Sequence, residues 1–331
     1  MANKRLLAII IIFIFVISLI TAVPITFLFV VLSSYSKIHE NRVLKYSASN
    51  SSPIVELNIN SEIGNVEINY TYPPINYYVK VEVSIEMFGK NIAGKSCSDY
   101  FDISWKNDSS PVNFNMKVKS DVDQIGLLSL IKDATVTISL RADIIFDINT
   151  NVIYGNVEIN APFGVSINEV KINNTYGDIL YDFNHCTIEG NITGINNEGD
   201  INFKTYNVEY SQDCSFFLDT ETGNITVDIY QYNQMGANVS GIIKNAGVIN
   251  LIYEDNSANI GALFLLYNTS QFWTFWDKWE GFPEDPGILK GGNGYFFQSF
   301  DFPTKNNYNL SFYKKHWLGR YYVNLISVPF S

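Results

Sequence analysis

The chain has 331 residues, a formal net charge of −11 and only four arginines. Proteins that bind nucleic acids need basic stripes that displace counterions from phosphates, so this composition excludes nucleic acid as a partner. Hydrophobic residues make up 47% and aromatic residues 15% of the chain, which excludes intrinsic disorder and predicts a well-filled core. The three cysteines are too few for a disulfide framework, and we expect them to be small buried residues.

The N-terminus carries a long apolar segment, residues 6–32, with no charged side chain. A helix of this length exceeds the roughly 30 Å hydrocarbon core of a bilayer, whereas the apolar part of a cleaved signal peptide spans only about 7–15 residues. We therefore predict that residues 1–36 are an uncleaved transmembrane signal anchor, with the lipid bilayer as the partner of residues 6–32. Cleavage after Ser36 is the main alternative, and a pilin-type leader is disfavoured by Arg5.

The orientation of the chain is predicted from the long body after this segment, because the basic residues on the two sides of the segment nearly balance. The body contains nine Asn-X-Ser/Thr sequons, which are acceptors for glycans outside the cytoplasm. We expect a single-pass protein of the cell membrane with a cytoplasmic N-terminus and an extracytoplasmic body. The candidate glycosylation sites are Asn50, Asn69, Asn107, Asn173, Asn191, Asn224, Asn238, Asn268 and Asn309.

A glycine followed by alternating apolar residues recurs along the middle of the chain. The copies begin at Gly155, Gly177, Gly199, Gly223 and Gly247, at spacings of 22, 22, 24 and 24 residues. An earlier copy begins at Gly64. Near-constant spacing of this kind predicts a stack of similar units.

In each copy the second and fourth residues after the glycine are apolar, so both side chains lie on one face of a strand. One predicted column contains Val157, Ile179, Ile201, Ile225 and Ile249; the other contains Ile159, Tyr181, Phe203, Val227 and Leu251. Each unit can bury this face only against its neighbours. We therefore predict an all-β fold, a single parallel β-solenoid (β-helix-like) domain with rungs of 22–24 residues.

A Gly-Asn or Gly-Asp step starts most copies and predicts a tight corner. Asn156, Asp178, Asp200 and Asn224 would then stack along one edge. We interpret this edge as a ladder of turn residues. The alternative is an acidic ridge that binds Ca²⁺ or a glycan, although the Gly-Gly-X-Gly-X-Asp pattern of Ca²⁺-binding repeats is absent.

The segments on either side of the repeat predict additional strands and two helices. Residues 71–133 interrupt the period with alternating strands, which predict an antiparallel β insertion, and a helix capped by Ser120. Phe272–Trp279 has the spacing of an aromatic helix. That helix would cover the last rung or, alternatively, present Trp273, Trp276 and Trp279 as a ligand platform. The predicted divisions are residues 1–36 (anchor), 37–53 (linker), 54–261 (β-solenoid with inserted strands and one helix at 71–133) and 262–331 (C-terminal aromatic cap of helix and strands).

Catalytic residues do not stand out. Enzymes built on β-helices need clustered carboxylates, or carboxylates with a metal and a basic residue, on one face. Residues 154–260 contain no arginine and His185 as their one histidine, and their carboxylates are scattered. We expect no enzyme activity, no catalytic or metal-binding residues and no cofactor.

The run Thr222-Gly223-Asn224-Ile225-Thr226-Val227 and its equivalents resemble the rungs of the bacterial and archaeal putative adhesin domains. The resemblance covers residues 134–260 and, less closely, 54–70. It implies a surface β-solenoid but no catalytic residues. The chain departs from the family at the residue before the glycine, where the other copies carry Tyr154, Tyr176, Glu198 or Ala246 instead of threonine.

Two functions are compatible with these patterns as hypotheses. The first is a membrane-anchored structural or adhesive surface module whose partner is a cell-surface glycan or an envelope protein. The alternative is a membrane-tethered sensor or an accessory subunit of an envelope complex. A polysaccharide-degrading β-helix enzyme is the least favoured because the required carboxylate cluster is missing.

Overall fold

The computed structural model describes an all-β protein with one short α-helix and one turn of 3-10 helix (Cys97–Asp99) in its described residues. It describes residues 35–47, 54–90, 92–106, 110–211, 214–231, 236–255, 260–268, 278–280, 287–288, 294–298, 306–314 and 320–327. The predicted transmembrane segment lies outside these residues. Within them, no helix has the length and apolar character needed to cross a bilayer.

The strands form two large sheets. Sheet A has 11 strands in the order β1 (Tyr35–Tyr46), β4 (Val79–Lys90), β7 (Ile131–Arg141), β3 (Asn65–Thr71), β9 (Val157–Ala161), β11 (Ile179–Asn184), β14 (Ile201–Tyr206), β17 (Ile225–Gln231), β19 (Val248–Asp255), β25 (Arg320–Ser327) and β21 (Lys278–Glu280).

Sheet B has 14 strands, of which 12 follow the order β22 (Gly287–Ile288), β23 (Gly294–Gln298), β20 (Ile260–Asn268), β24 (Asn306–Lys314), β18 (Asn238–Ala246), β16 (Ser215–Thr222), β13 (Ile192–Glu198), β10 (Ser166–Tyr176), β8 (Ile145–Tyr154), β2 (Ile54–Ile63), β6 (Val112–Val118) and β5 (Phe101–Lys106). The two short strands β12 (Thr187–Ile188) and β15 (Glu209–Tyr210) lie off this path, with β12 paired to β10 and to β15.

Both sheets are mixed, which corrects the predicted fold class. The repeat strands pair in parallel, but β1 with β4, β4 with β7, β5 with β6 and β20 with β23 pair antiparallel. A single parallel β-solenoid with a separate antiparallel insertion is therefore wrong. The strands of residues 71–133 extend the same two sheets, because each supplies backbone donors and acceptors to a strand that would otherwise be a sheet edge.

The predicted inward columns are confirmed in register and burial. Ile179 is paired with Val157 on one side and Ile201 on the other. Ile201 is paired in turn with Ile225. All members of both columns are fully or almost fully buried. Their side chains meet those of sheet B, as at Phe203 on β14 and Phe216 on β16, whose ring centroids lie 4.8 Å apart. The core is thus the layer between the two sheets.

The repeated glycines hold the corner between consecutive strands. Gly199 has a φ of 136°, and a Cβ built on it would overlap the carbonyl oxygen of Gly177. A Cβ at Gly223 would overlap the Gly199 oxygen in the same way. The corner therefore requires glycine both for its backbone conformation and for the close approach of successive backbones.

Three segments differ from their predictions. The helix α1 spans only Gln124–Leu128, and its N-cap is Asp123, whose carboxylate accepts hydrogen bonds from the backbone N–H groups of the first turn. An acidic side chain close to these free donors caps better than the more distant Ser120. The end of the predicted aromatic helix, Lys278 and Trp279, lies in strand β21 instead, and residues 35–46 within or beside the predicted linker form β1.

Truncation of Ile201 to Ala should destabilise the protein by about 2–5 kcal/mol, because it leaves a cavity between the sheets. Asn202, the next residue on β14, faces outward, and Asn202→Ala is the matched control with an expected change within about 0.5 kcal/mol. Chemical denaturation of the two variants measures the contrast. Equal losses would contradict the observed alternation.

Replacement of Gly199 by Ala should cost at least about 1–3 kcal/mol, the typical cost of holding a side chain in a disallowed backbone region. Gly94, which also has positive φ (76°) but no atom within 4 Å of a built Cβ, provides the control for strain without the close approach. Thermal unfolding should show a larger loss for Gly199→Ala than for Gly94→Ala. A loss of the same size would mean that the contact with Gly177 is unimportant.

Candidate functional site

The predicted acidic edge is a structural ladder, here called the corner ladder: Asn65, Asn156, Asp178, Asp200 and Asn224. Each side-chain oxygen accepts a hydrogen bond from the backbone N–H of the next copy, at 2.8–2.9 Å. These oxygens therefore satisfy the donors exposed by the glycine corner. In the part of the chain that the structure describes, no group of three or more His, Cys, Asp or Glu side chains could hold a metal ion.

A second ladder, made of amides, crosses the outer face of sheet B. Asn173 donates its Nδ2 to Asn151, Asn151 donates to Asn60, and Asn60 donates to Asn115, at 2.9–3.0 Å. Such cross-strand pairs stabilise a sheet. Because these amides already bond one another, the outer face of sheet B is a weak candidate for ligand recognition.

The outer face of sheet A carries a different arrangement, an aromatic row at the ends of four repeat strands. The row comprises Phe163, His185, Tyr206 and Tyr230. Their ring centroids are separated by 6.2 Å, 5.0 Å and 6.3 Å in that order. Phe163 is 73% exposed and Tyr206 41% exposed. His185 and Tyr230 are half-buried. A continuous row of partly or largely exposed rings is unusual on a soluble surface, where large apolar groups are mostly scattered.

Strand pairing positions this row. Tyr206 on β14 is in register with Asn184 on β11 and with Tyr230 on β17. His185 follows β11 directly and has a φ of 52°, which turns the chain at the end of that strand. Phe163 follows β9 in the equivalent turn, where its carbonyl oxygen accepts a hydrogen bond from the hydroxyl of Tyr72. The row thus runs across the strands, parallel to the corner ladder.

A polar row lies beside the rings, two or three residues before the ring of each copy and continued onto β3: Asn69, Asn160, Asp182, Lys204 and Asp228. Its members are aligned by the parallel pairing of β3, β9, β11, β14 and β17. The amide of Asn160 donates to Asn69 at 3.0 Å. A shallow depression of about 310 Å³ opens at one end of this surface and is lined by Asn69, Tyr70, Asn160, Ala161, Pro162, Asp182 and Asn184.

Asp228 is the least satisfied member of the polar row. Its Oδ1 is buried, and no hydrogen-bond donor in the described part of the chain reaches it. Burial raises the pKa of the Asp228 carboxyl above its ordinary value, and the charge of the neighbouring Lys204 lowers it in part. A half-buried carboxylate with an unused oxygen costs stability and is typical of a binding surface.

The aromatic row and the polar row together suit a ligand that combines apolar faces with hydroxyl or amide groups. Aromatic rings offer large apolar faces with partial negative charge above the ring, and the adjacent carboxylates and amides offer directional hydrogen bonds. A mixture of this kind fixes both the position and the orientation of a ligand.

Of the side chains proposed from sequence, Asn69 lies in the polar row. Trp273 and Trp276 lie outside the described residues, and Trp279 lies in β21, which pairs with β25. The tryptophan platform stays a prediction.

Among the sequons, Asn50 and Asn107 also lie outside the described residues. Asn173 and Asn224 donate their Nδ2 atoms within the two ladders, to Asn151 and Asp200, and Asn309 donates its Nδ2 to Asn238 on the neighbouring strand. The others lie on or beside strands: Asn69, Asn191, Asn238 and Asn268. Glycosylation at all of these positions stays a prediction.

The three cysteines are buried and unpaired, as expected from their number. Burial raises the pKa of Cys97 and of Cys186 to about 12, so both thiols stay protonated at neutral pH. Cys214 donates its Sγ hydrogen to the backbone oxygen of Ile188 at 3.1 Å. All three cysteines therefore act as small core residues.

Neither a protein-family model nor a curated protein matches the chain. Solved structures that align with it include a putative cell adhesion protein from Clostridium sporogenes, with 12% identity, 87% of this chain and 100% of that chain covered, and a TM-score of 0.36. A putative adhesin from Bacteroides fragilis shows 9% identity over 87% and 97% of the two chains, with a TM-score of 0.33.

A putative lipid binding protein from Parabacteroides distasonis shows 12% identity over 87% and 96% of the two chains, with a TM-score of 0.36. Similarity at this level assigns neither the fold nor the function of the chain. The resemblance of the rungs to the adhesin family therefore stays a prediction.

Replacement of Asp228 by Asn should stabilise the protein at neutral pH, because the amide avoids the cost of burying a charge. Because the pKa of Asp228 is raised in the folded state, the free-energy cost of burying its charge is fully present above the folded-state pKa. This cost disappears as the pH falls below the pKa of Asp228 in the unfolded chain. The difference between variant and parent should therefore shrink toward acidic pH. Denaturation at several pH values measures it, with the exposed Asp182→Asn as control. A destabilised Asp228→Asn would contradict this account of the carboxyl group.

Proposed function

We propose that the protein is a non-catalytic adhesive module on the outside of the cell that binds surface glycans through the outer face of sheet A. The single observation that carries this proposal is the aromatic row with the polar row beside it. The surface is shallow and open, which suits a long ligand held at many points rather than a small substrate enclosed for chemistry.

The location is supported by the sequence. The apolar segment at residues 6–32 favours export and attachment to the membrane, and the sequons favour exposure outside the cytoplasm. The acidic net charge of −11 is compatible with a solvated surface and does not favour polyanionic partners.

Binding without catalysis is supported by how the nearby ionisable groups are used. His185 is hydrogen-bonded through Nδ1 to its neighbour Asn184. Glu158 accepts from Asn160 at 2.8 Å. Groups engaged in this way support the scaffold, whereas an acid–base pair must face the reacting bond.

A glycan array probed with the protein and with the double variant Tyr206→Ala/Tyr230→Ala tests the proposal. The parent should be retained on a subset of glycans, and the double variant should lose at least about tenfold in affinity, because two stacking contacts of about 0.5–1.5 kcal/mol each are removed together with their buried area.

Tyr176→Ala is the matched control, since Tyr176 is 40% exposed, close to the 41% of Tyr206, but lies on sheet B, where its ring stacks on that of Tyr154. This control should bind like the parent. Retention on no glycan, or equal loss in the control and the double variant, would contradict the proposed function.

A further inference from the structure

Resting on the proposed function, we infer that the ligand is an extended, uncharged β-linked glycan whose chain runs across the strands, with one sugar unit over each ring of the aromatic row. The aromatic row defines the direction in which the bound chain runs. Its rings follow one another from β9 to β17, perpendicular to the strands, so a chain that contacts all of them must run along the stack.

The spacing of the rings matches the repeat length of the proposed ligand. Successive centroids lie 5.0–6.3 Å apart, which is about the length of one pyranose unit in an extended chain. The spacing comes from the distance between neighbouring strands, about 4.8 Å, lengthened by the splay of the side chains. A ligand with one flat unit per repeat therefore meets a ring at each step, whereas a ligand with a shorter or longer repeat loses register.

The rings do not share one plane, so a ligand contacts them one unit at a time. Neighbouring planes differ by 51°, 47° and 36° along the row. β-1,4-linked pyranose chains form extended ribbons whose C–H groups lie on the two flat faces, and these groups pack on aromatic faces. α-1,4-linked chains curl into helices and present each successive unit in a different direction, so they cannot follow a straight row.

The polar row selects against charged chains. Along the stack it carries Asp182, then Lys204, then Asp228, in adjacent register positions. A uniformly charged polymer would place a like charge over at least one of these groups, and such juxtapositions cost affinity. Hydroxyl groups, in contrast, can donate to the carboxylates and accept from the ammonium group in the same register.

The experiment measures affinity against chain length. Cello-oligosaccharides and chito-oligosaccharides of increasing length are titrated into the protein by calorimetry, with malto-oligosaccharides as the α-linked comparison and β-1,4-linked oligomannuronates as the charged one. Each added β-linked unit should raise the affinity by roughly 2- to 12-fold until about four units are reached, and further units should add little. The two comparison series should not bind.

A variant at the end of the row tests the register independently. Phe163→Ala removes a ring that is 73% exposed, so folding should be unaffected. It should shift the plateau of the length series from about four units to about three, whereas Tyr176→Ala should leave the plateau unchanged. A general loss of stability would lower affinity at every length without moving the plateau.

Binding of glycans with no dependence on length, an unmoved plateau in Phe163→Ala, or binding of α-linked or charged chains alone would overturn this inference while leaving glycan adhesion in place. Retention of no glycan on the array and no binding of either β-linked series would overturn the proposed function itself.

Discussion

The close approach of successive backbones at the glycine corner is the constraint on which the rest of the structure depends. There a carbonyl oxygen of one copy lies where the next copy would carry its Cβ, as between Gly177 and Gly199. The corner ladder completes the contact, because Asp178 accepts the backbone N–H of Asp200 at 2.8 Å. Once the corner is set, the two-residue alternation of each strand determines which side chains enter the core and which reach the surface.

Part of the fold can be predicted from sequence because it is encoded locally. Glycine spacing and alternation are sufficient to place Ile201 opposite Ile225 and to bury both. The choice between a uniform parallel stack and two mixed sheets is not encoded in this way. It depends on which edge the strands of residues 71–133 pair with, and backbone hydrogen bonds there, as between β4 and β7, carry no side-chain signature.

The candidate site is not predicted by the core pattern, for a related reason. Phe163 stands in an apolar run that is typical of the core, but it lies in a turn and is 73% exposed. A usable signal is nevertheless present: the seventh or eighth residue after the glycine is aromatic in successive copies, giving Phe163, His185, Tyr206 and Tyr230. Alternation places the second, fourth and sixth residues inside, so an aromatic at the seventh points outward, where burial does not explain it.

The parallel arrangement of the copies also has a consequence for how such a protein can change over generations. Since each of the four copies that begin at Gly155, Gly177, Gly199 and Gly223 brings its own glycine, its own ladder oxygen and its own ring, duplication or loss of one of these copies preserves the pattern of neighbouring contacts. The footprint on a ligand would grow or shrink by one strand spacing, about 4.8 Å, with no redesign of the core. The length of ligand that the surface can contact would therefore change by whole copies of the repeat.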